Sequence, residues 1–334
     1  MIRRWQSVLL DALLGIYVAV LLYRIAWLRV VLGGEAPPVW SGELVAYGIA
    51  GAIMAFLGMR LRCTPGTWLS GAALQGWREV TALHIAFAAL VLTIWAGWVI
   101  TRISPLELFS AQGLQSAGRL FGALLTPEVT ILDKALVAMV QTIYIALMAT
   151  LFGVPPALLL GFLGARNVMR RHPATFAVYA VLRVLINFTR SVEPLIWAVI
   201  FSVWVGVGPF AGMLAMTVHT VAALAKLYSE QVESVDPGLV EAVESTGAHP
   251  VQVVWFAIVP QVVLPFLAFT IYRWDSNVRM ATVIGLVGGG GIGTLLMQYQ
   301  GLARWHEVGL IVLVIAAVVW LMDYLSARIR EALA

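Results

Sequence analysis

Charge is what this sequence has least of. Only 11% of its 334 residues are Asp, Glu, Lys or Arg, 61% are apolar, and the mean hydropathy is +0.92. A soluble domain carries about 25% charged residues, and a compact fold of this length surrounded only by water has too little interior to hide so much apolar surface. Cysteine is nearly absent. The single Cys63 leaves no internal disulfide and no disulfide-built extracellular domain. The chain also lacks low-complexity segments and the internal repeats, inverted or parallel, from which many secondary transporters are built. No basic run suits nucleic acid. There is no His-Glu-x-x-His, no Cys/His cluster, no Gly-x-Ser-x-Gly and no Gly-x-x-x-x-Gly-Lys-[Ser/Thr]. The five histidines, His84, His172, His219, His249 and His306, are scattered. These absences argue against a metal centre, a nucleophilic enzyme or a nucleotide-hydrolysing domain, so no cofactor is expected in this chain.

What is present is a series of long apolar runs. A helix needs about 20 apolar residues to cross the hydrocarbon of a bilayer, and about eight runs qualify: 7–32, 43–59, 84–102, 135–163, 174–204, 210–232, 260–288 and 308–327. The first is too long for a cleaved signal segment and reads as a retained span. The fifth is interrupted at Arg190-Ser191-Val192-Glu193-Pro194, where the proline predicts a kink or a re-entrant bend. Basic residues concentrate in cytoplasmic loops of membrane proteins. With both termini in the cytoplasm, Arg3, Arg4, Arg60, Arg62, Arg78, Arg166, Arg170, Arg171, Arg328 and Arg330 all fall inside, and the 33–42 loop, without Lys or Arg, falls outside. The 103–134 segment also falls outside and is long enough for a small structure of its own. Residues 1–76 read as an extra N-terminal transmembrane hairpin with a cytoplasmic linker, and 77–334 as the main transmembrane domain. Asp11 and Arg24 in the first span are expected near the membrane borders or in contact through neighbours.

Residues 233–260 break the apolar pattern on the side assigned to the cytoplasm. Asp236 before Pro237 reads as a helix N-cap. A short acidic helix follows, Gly247 ends it, and a second short helix leads into the seventh span. The run Glu241-Ala242-Val243, three residues, Gly247, nine residues, Ala257-Ile258-Val259-Pro260 resembles the EAA loop of type I ABC-importer permeases. Val243, Ala257 and Val259 depart from that pattern by small apolar exchanges. The resemblance implies a coupling helix seated in a cytoplasmic ATPase, with Glu241, Ala242, Glu244 and Gly247 as the coupling residues.

Three further stretches are similar to permeases of phosphonate ABC importers: Arg190–Ala198, Gly206–Glu230 with Gly208, His219 and Lys226, and Tyr272–Gly293. The last places Arg273, Asp275, Asn277 and Arg279 within a span. A charge at the bilayer centre costs roughly 2.5–3.5 kcal/mol on insertion scales, so such residues face protein or water. Asp275 and Arg279 are spaced to pair on one helix, as are Arg273 and Asn277. If Asp275 neutralises one arginine, the other stays available, and the planar guanidinium suits an oxyanion. These four are the candidate translocation-pathway residues, with a structural ion pair as the alternative. Gly288, Gly289, Gly290 and Gly291 are expected to unwind or bend the end of this span as a gate or hinge. His219 reads as a packed residue and Lys226 as one that reaches toward the cytoplasm.

The resemblance implies an all-α inner-membrane permease core that forms a homodimer. Its expected partners are a cytoplasmic ABC ATPase pair, which binds ATP and Mg, and a periplasmic receptor that delivers a phosphonate or related phosphorus oxyanion. The alternatives are a permease for another small anion, such as phosphite or a phosphate ester, and a proton-coupled secondary transporter using Asp275 or His219.

Overall fold

The computed structural model describes residues 4–25, 41–61, 63–69, 77–102, 104–170 and 173–333. Every regular element among them is helical. Seven helices are long and apolar enough to cross a membrane, and eight spans result if one bent pair is counted as a single crossing. That pair is α9 (Pro173–Ser191) and α10 (Pro194–Val205), which meet at 89°. The break falls at the proline that predicted it. Arg3, Arg62, Arg171, His172, residues 26–32 of the expected first span and the 33–40 part of the loop after it lie outside the described residues.

The chain divides into two compact units, Met1–Leu114 and Gln115–Ala334. In the first, α1 (Arg4–Val20) pairs with α2 (Ser41–Leu61), and a short α3 (Pro65–Leu69) precedes α4 (Trp77–Thr101). Asp11 and Arg24 do not meet; each is satisfied separately. The buried Asp11 carboxylate accepts from Thr64 Oγ1 at 2.6 Å and from the Gly66 amide at 2.8 Å. Arg24 pairs with buried Glu43 at 3.0 Å, and Tyr47 donates to the same carboxylate. The Tyr17 hydroxyl donates to Thr93 Oγ1 and ties α1 to α4. The segment from 104 to 125 is folded, as α5 (Pro105–Leu108) and α6 (Ala111–Leu125).

The second unit is organised around α7 (Leu132–Leu163) and α11 (Pro209–Glu233). Lipid supplies no hydrophobic drive between helices, so close association rests on small side chains that let backbones approach. Ala149, Gly153, Ala157 and Gly161 recur every fourth residue on α7 and are buried. They meet Thr220, Tyr228 and a run of buried alanines on α11. A Cβ on Gly161 would lie 2.6 Å from Tyr228 Cβ, and one on Gly153 2.8 Å from Thr220 Cγ2. Tyr228 stacks on Phe266 with ring centroids 4.1 Å apart, which brings in α14 (Val259–Gly285) as the third helix of the core. α16 (Trp305–Leu333) closes the other side of α14.

This seam predicts that Gly161→Ala destabilises the protein by about 1–3 kcal/mol, the usual cost of overpacking. Gly118→Ala on α6, where nothing lies within 4 Å, leaves stability unchanged or raises it by up to about 1 kcal/mol. Thermal unfolding of the detergent-solubilised protein measures both, and equal melting temperatures would remove the seam from the account.

Candidate functional site

Two features stand out from the apolar bundle: the charges on α14 and the exposed loop that precedes it. Successive residues on an α-helix are rotated by about 100°, so Arg273 and Asp275 point to nearly opposite faces. Asp275, buried, pairs with Arg279 at 3.0 Å, and Arg279 also pairs with Asp323 of α16. One arginine is thus shared between two carboxylates that bolt α14 to α16. Asp323 was not picked out from the sequence, since its partner lies 44 residues away. Asn277 does not bond Arg273 as its spacing allowed. Its amide donates to Thr150 Oγ1 of α7 and Thr220 Oγ1 of α11, both at 2.9 Å, and all three residues are buried. Arg273 forms no ion pair among the described residues, and its Nε is buried without an acceptor. Of the four sequence candidates, three are held in tertiary contacts and one keeps an uncommitted charge.

The glycine run ends α14 and begins α15 (Gly291–Gly301). Gly288, Gly290 and Gly291 have φ of +87°, +80° and +72°, a region that disfavours side chains. The break is packed rather than open. A Cβ on Gly290 would lie 2.6 Å from Pro209, one on Gly291 would strike Thr142, and Gly289 lies against Gly212. The first amides of α15 find acceptors on α7: Gly291 N donates to Gln141 Oε1 at 3.2 Å and Ile292 N to Thr142 Oγ1 at 2.8 Å. Thr294 Oγ1 donates back to the Gly285 carbonyl.

At the opposite end of these helices lies the acidic loop. Asp236 caps α12 (Pro237–Glu244) through a 2.9 Å bond from the Gly238 amide, with Pro237 at the first helical position. Gly247 turns the chain at φ +78°, in open space, so conformation alone selects glycine there. His249 and Gln252 form a reciprocal cap on α13 (Pro250–Val253), and a π-turn over Val254–Ile258 runs into α14. Glu241, Ala242, Glu244 and Gly247 are all exposed, and so are the apolar side chains of Leu239, Val251, Trp255 and Phe256. Behind Glu244 lies a cavity of about 180 Å³ lined by Asn167, Val240 and Val251 among others.

The loop's base is anchored. The Arg183 guanidinium donates to Ser229 Oγ at 2.7 Å and to the Gly164 carbonyl, and lies 3.8 Å from Glu233. Glu233 accepts from the Arg166 amide, and Asn167 donates to the Val232 carbonyl. Gln261 accepts from the Asp236 amide and donates to the Ala257 carbonyl. Lys226 pairs with Glu230 at 3.2 Å.

A helical membrane bundle with charge fixed on an inner helix, and an anchored but uncovered two-helix loop at one end, defines a membrane-embedded transport subunit. The chain belongs to the family of binding-protein-dependent transport system inner membrane components, whose model matches residues 157–334. It is 36% identical over 263 residues to the phosphite transport system permease protein PtxC of Stutzerimonas stutzeri, across 79% of this chain and 92% of that one. It is also 36% identical over 239 residues to the phosphate-import permease protein PhnE of Mycolicibacterium smegmatis, across 71% of this chain and 44% of the longer relative. The fold matches a chain of the inward-facing MetNI methionine ABC transporter with a TM-score of 0.55 and 21% identity, over 62% of this chain and 99% of that one. It is therefore the translocation subunit of an ABC importer, as the EAA-like loop implied.

The ion pair at Arg279 carries a prediction. Arg279→Met leaves the buried Asp275 carboxylate unpaired and destabilises the protein by about 1–3 kcal/mol. Asp275→Asn in the same background recovers part of that loss. Thermal unfolding of the two single variants and the double variant reads the coupling, and additive effects would separate Arg279 from Asp275.

Proposed function

We propose that the chain is the permease of an importer for a phosphonate or a closely related phosphorus oxyanion. A cytoplasmic ATPase drives it through residues 233–260, and a separate binding protein supplies it. The observation that carries the coupling reading is the loop itself. It is anchored at its base by Arg183, Glu233 and Gln261, yet it presents Leu239, Glu241, Glu244, Val251, Trp255 and Phe256 without cover. An exposed group of aromatic and aliphatic side chains beside carboxylates is the composition of an interface core with a polar rim. Rigid anchorage lets a push on α12 pass into α11 and α14 rather than dissipate in the loop.

The substrate class rests on the names of the relatives and on the cation of α14. The importer is a homodimer in the plasma membrane, with the coupling loop and both termini on the cytoplasmic side. The α14 cluster faces the pathway: Arg273 offers the free charge, while Asp275, Asn277 and Arg279 hold its helix in register. Closure of the ATPase pair moves the two coupling helices, and the helices open toward the binding protein as rigid bodies. The packed glycine break at 288–291 is the point about which α15 turns relative to α14. Residues 1–76 form an added hairpin that precedes this core in the sequence. ATP and Mg belong to the partner.

Glu241→Ala and Gly247→Val are expected to cut uptake by about tenfold or more, equivalent to 1.4 kcal/mol of interface energy, and to weaken co-purification with the ATPase. Melting temperature stays within error for Glu241→Ala, because that side chain is exposed. Full uptake and a stable complex in both variants would end the coupling assignment.

A further inference from the structure

We propose that α6 lies along the membrane–water boundary at the end of the bundle opposite the coupling loop, with Leu114, Phe121 and Leu125 set among lipid acyl chains and Gln112, Ser116 and Arg119 in water. The inference needs only that the chain crosses a membrane, and it is independent of the cargo.

Residues 111–125 form one continuous helix with three different sides. Successive residues turn by about 100°, so the partly buried Gly113, Ala117, Leu120 and Leu124 share the side that packs on the protein. Leu114, Phe121 and Leu125 fall on a neighbouring side and are 56%, 61% and 80% exposed. Gln112, Ser116 and Arg119 are also exposed and fall nearly opposite that apolar strip. A helix packed on a protein in water needs only two sides, one apolar toward the core and one polar toward the solvent. The third side, apolar and uncovered, calls for an apolar surrounding. An uncovered apolar strip with polar side chains across from it is the pattern of a helix lying in the plane of a membrane interface.

Tertiary contacts place the helix where lipid meets water. α7 ends at the anchor of the coupling loop, where the Gly164 carbonyl accepts from Arg183, so its first turn lies at the far end of the bundle. α6 finishes beside that turn. The Glu128 amide donates to the His306 carbonyl at 3.2 Å, and Thr126 Oγ1 lies 3.0 Å from His306 Nδ1. A Cβ on Gly309 would lie 3.0 Å from Leu124 Cα. His306 and Gly309 belong to the first two turns of α16. Both α7 and α16 are long and apolar enough to cross the membrane, so their adjoining ends mark the edge of the hydrocarbon and α6 is fixed at that level. A soluble partner arriving from the water would meet the polar strip, whereas the apolar strip on the other side is left to the lipid. Because the end of α6 is tied to α16, its seat in the interface sets the level of that end of α16 in the bilayer.

Nitroxide labels on single cysteines test the placement in the full-length permease reconstituted into phosphatidylcholine bilayers, using Ser116→Cys, Phe121→Cys and Leu125→Cys. All three positions are exposed, so the label displaces no core packing, and the buried Cys63 makes the unsubstituted chain the labelling blank. Power saturation compares collisions with oxygen, which concentrates in hydrocarbon, and with a neutral nickel chelate, which stays in water. The labels at Phe121→Cys and Leu125→Cys are expected about 5–10 Å inside the headgroup boundary, and the label at Ser116→Cys in water. Equal access of the nickel chelate to all three labels overturns the proposal. Protection of the Phe121→Cys and Leu125→Cys labels from both reagents assigns the strip to a second copy of the chain and overturns it as well. Either failure leaves the importer reading standing.

Discussion

The side-chain amide of Asn277 joins the three central helices, and the placement of every other polar group on α14 follows from it. Its two N–H groups reach Thr150 on α7 and Thr220 on α11, and all three side chains are buried. A donor left open there would forfeit about 1–3 kcal/mol, so α14 has one rotational setting. With that setting fixed, helical geometry sends Asp275 and Arg279 toward α16 and Arg273 away from them. Small residues make the lock possible. The α7–α11 seam of Gly153, Ala157 and Gly161 brings the two threonine-bearing helices close enough for one amide to bridge them.

Charge in a membrane protein is expensive, and this chain spends little of it on isolated groups. Arg24 is matched by Glu43, Arg279 by Asp275 and Asp323, and Arg183 by Glu233 and Glu230. The pairs do mechanical work as well. The Arg279 station joins α14 to α16, and the Arg183 network joins the middle of α9 to the ends of α7 and α11 just before the acidic loop. Against this pattern, Arg273 is conspicuous for having no counter-ion among the described residues. A bundle stiffened at both ends, with an uncovered loop at one end and a packed glycine break at the other, is suited to moving as a few rigid bodies.

Much of this was legible in the sequence, because it depends on local rules. Apolar length marked the spans, Pro194 marked the bend, and Asp236-Pro237 and Gly247 marked the start and the turn of the acidic loop, each through a conformational preference of the residue itself. The four residues on α14 were also visible, since charge inside an apolar run is conspicuous. Their partners were not. Asn277 bonds residues 127 and 57 positions away, and Arg279 a carboxylate 44 positions away. The i,i+4 spacing correctly paired Asp275 with Arg279 and wrongly suggested Asn277 for Arg273, because tertiary hydroxyls outcompeted the local neighbour. The anchoring of Gly291 and Ile292 by Gln141 and Thr142 was hidden for the same reason. Sequence suggested an unwound or bent glycine segment, and tertiary contacts pack that bend against α7 and α11.

The central claim is that this chain supplies a path and a lever but no energy of its own. Uptake of methylphosphonate into proteoliposomes tests it most directly, comparing the permease alone with the permease joined to its ATPase and binding protein. The account predicts accumulation only in the full assembly, dependent on ATP and undiminished when the pH gradient is collapsed. Accumulation by the lone permease under a pH gradient, without nucleotide, would contradict it.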